Sequence, residues 1–138
     1  MKIIYMIQAL MLSCFLSISA SVSAQSGMGR YQQLYVTGEV VTVSGVVISR
    51  QLIVPPGVKT QAVYLNLMTK EGPLQVQLGP ESFLEKTAGR YDMGDKLEVS
   101  GAKIILEGKP LILAAEVRKR GQVIVFRNSS GVPVWSGQ

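Results

Sequence analysis

The order of apolar alternation predicts an all-β chain: a closed, five-stranded Greek-key barrel with one short helix between strands three and four and an extra C-terminal strand. Three observations lead there. Period-two alternation, bounded by glycine, proline or charged turn residues, recurs from Leu34 to Arg127. A single helical signature, Glu81 to Ala88, interrupts it. The chain has no histidine, and its one cysteine, Cys14, lies in the apolar N-terminal run, so no disulfide can staple the domain and a closed core has to hold it.

Residues 1–24 read as an export signal. Lys2 supplies the positive start, Ile3 to Ala20 is almost uncharged, and Val22-Ser23-Ala24 is a small-residue cleavage site before Gln25. Met11-Leu12-Ser13-Cys14 loosely matches a lipoprotein box but stands too early in the run. Cleavage leaves about 114 residues, enough for one domain, periplasmic or secreted. The membrane is then a partner only through an uncleaved signal segment. The whole chain carries +5; without Lys2, 13 basic residues face 9 acidic ones, a mild +4 that does not make a dedicated nucleic-acid surface. Lacking imidazole and thiol, the exported part cannot build a zinc site, attach a c-type haem or activate a Ser-His or Cys-His nucleophile.

Taken in order, Gln25–Gln33 is a polar, flexible leader, and the barrel domain occupies 34–138. Leu34 to Leu52 is one long first strand, bent at its glycines, because neither Gly38 nor Gly45 sits in a two-residue hairpin turn. Pro55-Pro56-Gly57 centres a loop. In Gln61–Met68, Val63, Leu65 and Leu67 share one face, and Tyr64, Asn66 and Met68 the other. A turn at Lys70–Pro73 leads to Leu74–Leu78, with Leu74, Val76 and Leu78 inward and Gln75 and Gln77 outward. Pro80 then suits a first helical position, Phe83, Leu84, Thr87 and Ala88 make the apolar stripe, and Gly89 is a left-handed stop. Lys96–Leu106 is a strand with a bulge at Gly101, Glu107–Pro110 a hairpin turn, and Leu111–Val117 the returning strand. Lys119–Gln122 turns again into Val123–Arg127, and Asn128-Ser129-Ser130-Gly131 leads to a tail ending at Val134-Trp135.

This β-β-β-α-β-β order resembles the OB-fold. With LGPESFL before a GDKLEVSG step and a closing RNSSGVPVW, the chain is similar to small secreted bacterial OB-fold domains over Val36 to Trp135. Proteins of that kind are nucleic-acid-binding-like or are accessory parts of envelope and redox systems, so the resemblance implies an envelope role. The haem-chaperone branch of the fold holds haem through a histidine, which this chain lacks.

OB-folds bind across strands two and three and the flanking loops. Here that surface maps to Tyr64, Asn66, Gln75 and Gln77 between Lys59 and Lys109, a set suited to an oligosaccharide or a polar peptide edge. Single-stranded nucleic acid asks for several stacking aromatics, and Tyr64 stands alone there. Val123 to Phe126 is apolar on both faces, a hazard for a bare edge strand. Either the N-terminal leader or the tail covers it, or another protein does; Ile124 and Phe126 are the interface residues expected to meet another envelope protein. Ser100 and Lys103 match an S-x-x-K spacing, but in a strand rather than at a helix start. Asp92, Asp95 and Glu98 are too few and too dispersed for a calcium loop and read as turn chemistry. The expectation is a non-catalytic exported OB-fold binding or adaptor module in an envelope assembly, with no cofactor and no metal. The alternative is an oligosaccharide- or single-stranded nucleic-acid-binding domain using the strand two and three face.

Overall fold

A long strand that serves two neighbours organises the barrel. β1 (Glu39–Ile53) pairs with β4 (Lys96–Leu106) from Glu39↔Lys103 to Val46↔Lys96, then with β2 (Ala62–Thr69) from Val46↔Met68 to Ile53↔Ala62. Changing partners demands a bend, and the register shifts between Val47 and Ser49. Gly45 sits just before it, where a Cβ would lie 2.8 Å from the Met68 carbonyl oxygen. The computed structural model describes residues 27–87 and 90–136, so the export signal expected over 1–24 and the helix stop expected at Gly89 lie outside the described residues.

β2 and β3 (Gly72–Pro80) form one antiparallel hairpin, β4 and β5 (Lys109–Lys119) another. The ring closes where β3 runs parallel to β5, Gln75↔Leu111 to Gln77↔Leu113, giving the circular order β1-β2-β3-β5-β4. β6 (Gln122–Val125) is hydrogen-bonded to β5 outside the ring. The bulge expected at Gly101 is present, with the β4–β5 register shifting between Ser100 and Gly101. A Cβ at Gly101 would overlap the Leu113 carbonyl oxygen, so only glycine lets the two strands approach there.

Among the described residues two helices complete the fold. The expected helix lies between β3 and β4 but runs only Glu81–Lys86, and Pro80, at ψ 143°, caps it from outside instead of opening it. The other helix was not expected. Residues read as a flexible leader and as the start of the first strand form Gly27–Thr37, designated α1, so the helix between β3 and β4 is α2 and the first strand begins at Glu39, not Leu34. Its signal is Tyr31, Leu34 and Tyr35 at helical spacing; two glycines and the lack of an acidic first turn mask it.

Inward-pointing residues alternate with outward ones along each strand, and each set has its own core. Inside the ring lie Val47, Val63, Leu65, Leu67, Val76, Leu78, Val99, Ile112 and Val117, closed by Leu84 from α2 and by Phe126. On the outer face Tyr64, Ala102, Ile104, Leu111 and Leu113 are covered by Tyr31 and Tyr35 of α1. An 11-residue helix is marginal alone in water. Each buried tyrosine removes about 150–250 Å² from solvent, an upper bound of roughly 4–6 kcal/mol, so packing holds α1 in place.

Candidate functional site

The polar residues expected on strands two and three do come together. Tyr64 pairs across the hairpin with Gln77, and Asn66 with Gln75. The second rung is half-buried, with Asn66 Nδ2 donating to Ser49 Oγ at 2.7 Å. The first rung differs from the expectation: Tyr64 and Gln77 are each 4% exposed, because α1 and the loop after β1 cover that part of the face. Gln77 Nε2 donates to the Tyr64 hydroxyl at 2.9 Å, and Tyr31 ties α1 to the loop by donating to the Pro56 carbonyl at 3.0 Å. Burial pushes the Tyr64 phenol up to about 12 and raises Tyr31 as well. Lys59, in the loop, and Lys109, at the start of β5, are exposed on separate connections. The open polar face expected from the sequence is therefore sealed at Tyr64 and Gln77.

Against this rung the C-terminal segment folds back. Asn128 builds the turn: its Oδ1 accepts from the N–H groups of Ser130 and Val132, both at 3.0 Å, and Gly131 takes φ 78°. Val134 N–H then donates to the Phe126 carbonyl at 3.0 Å, which brings Trp135 over Gly79, where a Cβ would lie 2.8 Å from the indole. Phe83 of α2 packs between Trp135, at 5.4 Å between ring centres, and Phe126, at 5.7 Å.

Arg127 lies in the middle of this arrangement and was not singled out by the sequence. It is 6% exposed, its Nη1 donates to the Gly131 carbonyl at 2.9 Å, and its guanidinium carbon stands 5.5 Å from the Trp135 ring centre. Ion pairs among the described residues join Arg90 to Asp92 and Lys119 to Asp95; none reaches Arg127. Burial lowers its pKa to about 10, partly offset by the phenols of Tyr35 and Tyr31. Among the described residues its Nε and the Oε1 of Gln77 have no hydrogen-bond partner. Both residues line a cavity of about 120 Å³ bounded also by Tyr31, Gly79, Pro133 and Trp135.

The last strand has a different phase from the one expected. Phe126 is fully buried and Ile124 is half-buried against the inner core, so neither is the strand's exposed side. Val123 and Val125 point outward instead, 40% and 45% exposed, on an edge with no further strand beside it among the described residues. Periodicity could not fix this phase, since all four residues from Val123 to Phe126 are apolar. Elsewhere, Asp95 Oδ2 receives Lys119 Nζ at 2.7 Å and the Asp92 N–H at 2.8 Å, which is turn chemistry. The Ser100 hydroxyl, on β4, shares a 2.9 Å hydrogen bond with that of Thr42.

The ring order, the helix between β3 and β4 and the outer strand define an OB-fold-like barrel whose β2–β3 face is covered by its own chain at Tyr64 and Gln77. The model of the MamS/MamX magnetosome protein family matches residues 39–124, from the first residue of β1 into β6, and the chain belongs to that family. The sequence resemblance had pointed to small secreted envelope domains of the same fold; the family found is named for the magnetosome. No curated protein matches the chain. Among the described residues no helix is long and apolar enough to cross a membrane.

Proposed function

We propose that the chain is a non-catalytic, exported adaptor module in a protein assembly of the magnetosome, docking a partner protein along the free edge of β6. The observation that carries this reading is the edge itself. Its backbone groups have no strand beyond them among the described residues, and Val123 and Val125 stand outward beside them. Such an edge accepts an extended segment by main-chain hydrogen bonding, with alternate side chains giving selectivity. The match to a family named for the magnetosome supports that setting. An oligosaccharide or a single nucleic-acid strand on the β2 and β3 face has weaker support, because Tyr64 and Gln77 lie beneath α1.

A photo-crosslinking residue in place of exposed Gln122, in the full chain and in the producing bacterium, tests the docking. A defined adduct with a second protein is expected, and Val123→Lys with Val125→Lys should remove it while stability changes by no more than about 0.5 kcal/mol, as for other exposed positions. An adduct that survives both lysines would overturn the edge as the docking surface.

A further inference from the structure

Docking at β6 leaves the buried guanidinium unexplained. As a clamp for the tail, Arg127 needs one donor for the Gly131 carbonyl and one face for Trp135. A neutral side chain could donate that hydrogen bond without taking a charge out of water, and a buried charge is costly unless it is paired. Its electrostatic neighbours Tyr35 and Tyr31 are phenols, and no carboxylate pairs with it among the described residues. Among the described residues, two side chains that line this cavity also carry a matched deficit, a donor without an acceptor at Arg127 Nε and an acceptor without a donor at Gln77 Oε1.

The walls restrict what can answer both. Val58, Ala62, Leu78 and Pro133 are apolar, and Trp135 adds an aromatic face. At about 10–15 Å³ per water-sized site, the 120 Å³ volume admits roughly ten non-hydrogen atoms, too few for a nucleotide or an oligosaccharide. A bare inorganic anion would satisfy the guanidinium and leave the apolar walls unused. A carboxylate has the planar two-oxygen geometry that a guanidinium recognises.

We propose that this cavity binds a small organic acid, its carboxylate on Arg127, its apolar body against Val58, Ala62, Leu78 and Pro133, and a hydroxyl or N–H donating to Gln77 Oε1. Such a ligand touches Tyr31 of α1, Gln77 of β3 and Trp135 of the tail at once. Of these, Gln77 lies within the family-matched segment, while Tyr31, Arg127 and Trp135 flank it.

Trp135 is the only tryptophan in the chain, so its fluorescence reports on the cavity directly. The full chain is titrated with cyclohexanecarboxylate and a hydroxylated cyclohexanecarboxylate, with cyclohexylmethanol and inorganic phosphate as comparators. Both acids should give saturable changes, the hydroxylated one binding more tightly, and each comparator should bind at least about tenfold more weakly. Arg127→Gln, which retains an N–H donor, should abolish the response. If that variant fails to fold, Val58→Phe, which narrows the cavity from a half-buried loop position and leaves Arg127 in place, should weaken binding of the acids by at least about tenfold. No saturable change with either acid overturns the proposal. So does an alcohol or phosphate that binds as well as the acids, or binding to Val58→Phe that equals the wild type.

Discussion

Replacing Phe126 with alanine separates a core residue from a docking residue in one experiment. The ring is fully buried, belongs to the inner core and meets Phe83 edge-on with 5.7 Å between centres. A buried Phe→Ala change costs about 3–5 kcal/mol in lost transfer energy and cavity formation, and loss of an edge-on aromatic pair pushes toward the upper end. Domains of this size are stable by only about 5–15 kcal/mol, so the variant should remain folded at low temperature with little reserve. Urea unfolding followed by circular dichroism should show the midpoint falling sharply at unchanged slope, since the surface exposed on unfolding is nearly the same. At about 4–8 °C per kcal/mol, the midpoint of thermal unfolding should drop by more than about 12 °C. A loss below about 1 kcal/mol, or a normal midpoint with a lost partner, would refute the burial argument and return Phe126 to the surface.

Three further outcomes follow from local chemistry. Lys119, and then the Asp92 N–H, hold the Asp95 carboxyl below its ordinary 3.8, so the carboxylate is favoured in the folded state. That stabilisation is present above pH 3.8 and lost as pH falls through the lower folded value; the stability gap between wild type and Asp95→Asn should close in that window, and a pH-independent gap would contradict it. Burial pushes the Tyr64 and Tyr91 phenols up to about 12 from 10.0, so the folded state keeps protons that the unfolded state releases and stability falls as pH rises between those values. Ultraviolet titration should show a late phenolate step that shrinks in Tyr64→Phe. Finally, Glu107 and Arg120 take φ 51° and 52° in two-residue hairpin turns, each followed by a glycine. Glu107→Asn and Arg120→Asn should each recover about 0.5 kcal/mol of the ~1–2 kcal/mol that a left-handed residue costs, read as a higher urea midpoint.

What the sequence revealed was local. Alternation located the strands, the turns after Leu106 and Lys119 fell where Gly108 and Gly121 permit positive φ, and Gly101 marked a bulge that the Leu113 carbonyl makes necessary. What it hid depended on distant partners. Gln77 alternates as a solvent-facing residue should, and only α1 and the tail decide that it is buried. Asn128-Ser129-Ser130-Gly131 announces a turn, but nothing in those residues says that the arginine before it turns inward. α1 escaped notice because its two glycines and its closing Val36-Thr37 weaken the helical signal of Tyr31, Leu34 and Tyr35, and it is stable only against a surface that other strands build.

The cylinder is shut along its shortest ladder, three parallel pairs that join residues as far apart in sequence as Gln75 and Leu111. The two hairpins can zip locally, whereas this latch joins one to the other through only three pairs, so it should slip first when the native state breathes. Amide protons donated across this ladder should then exchange with solvent sooner than those donated across the longer β4–β5 ladder. Gln77 belongs to the latch, so any molecule seated beside it would also act as a bolt, slowing the opening of a ring it does not itself complete.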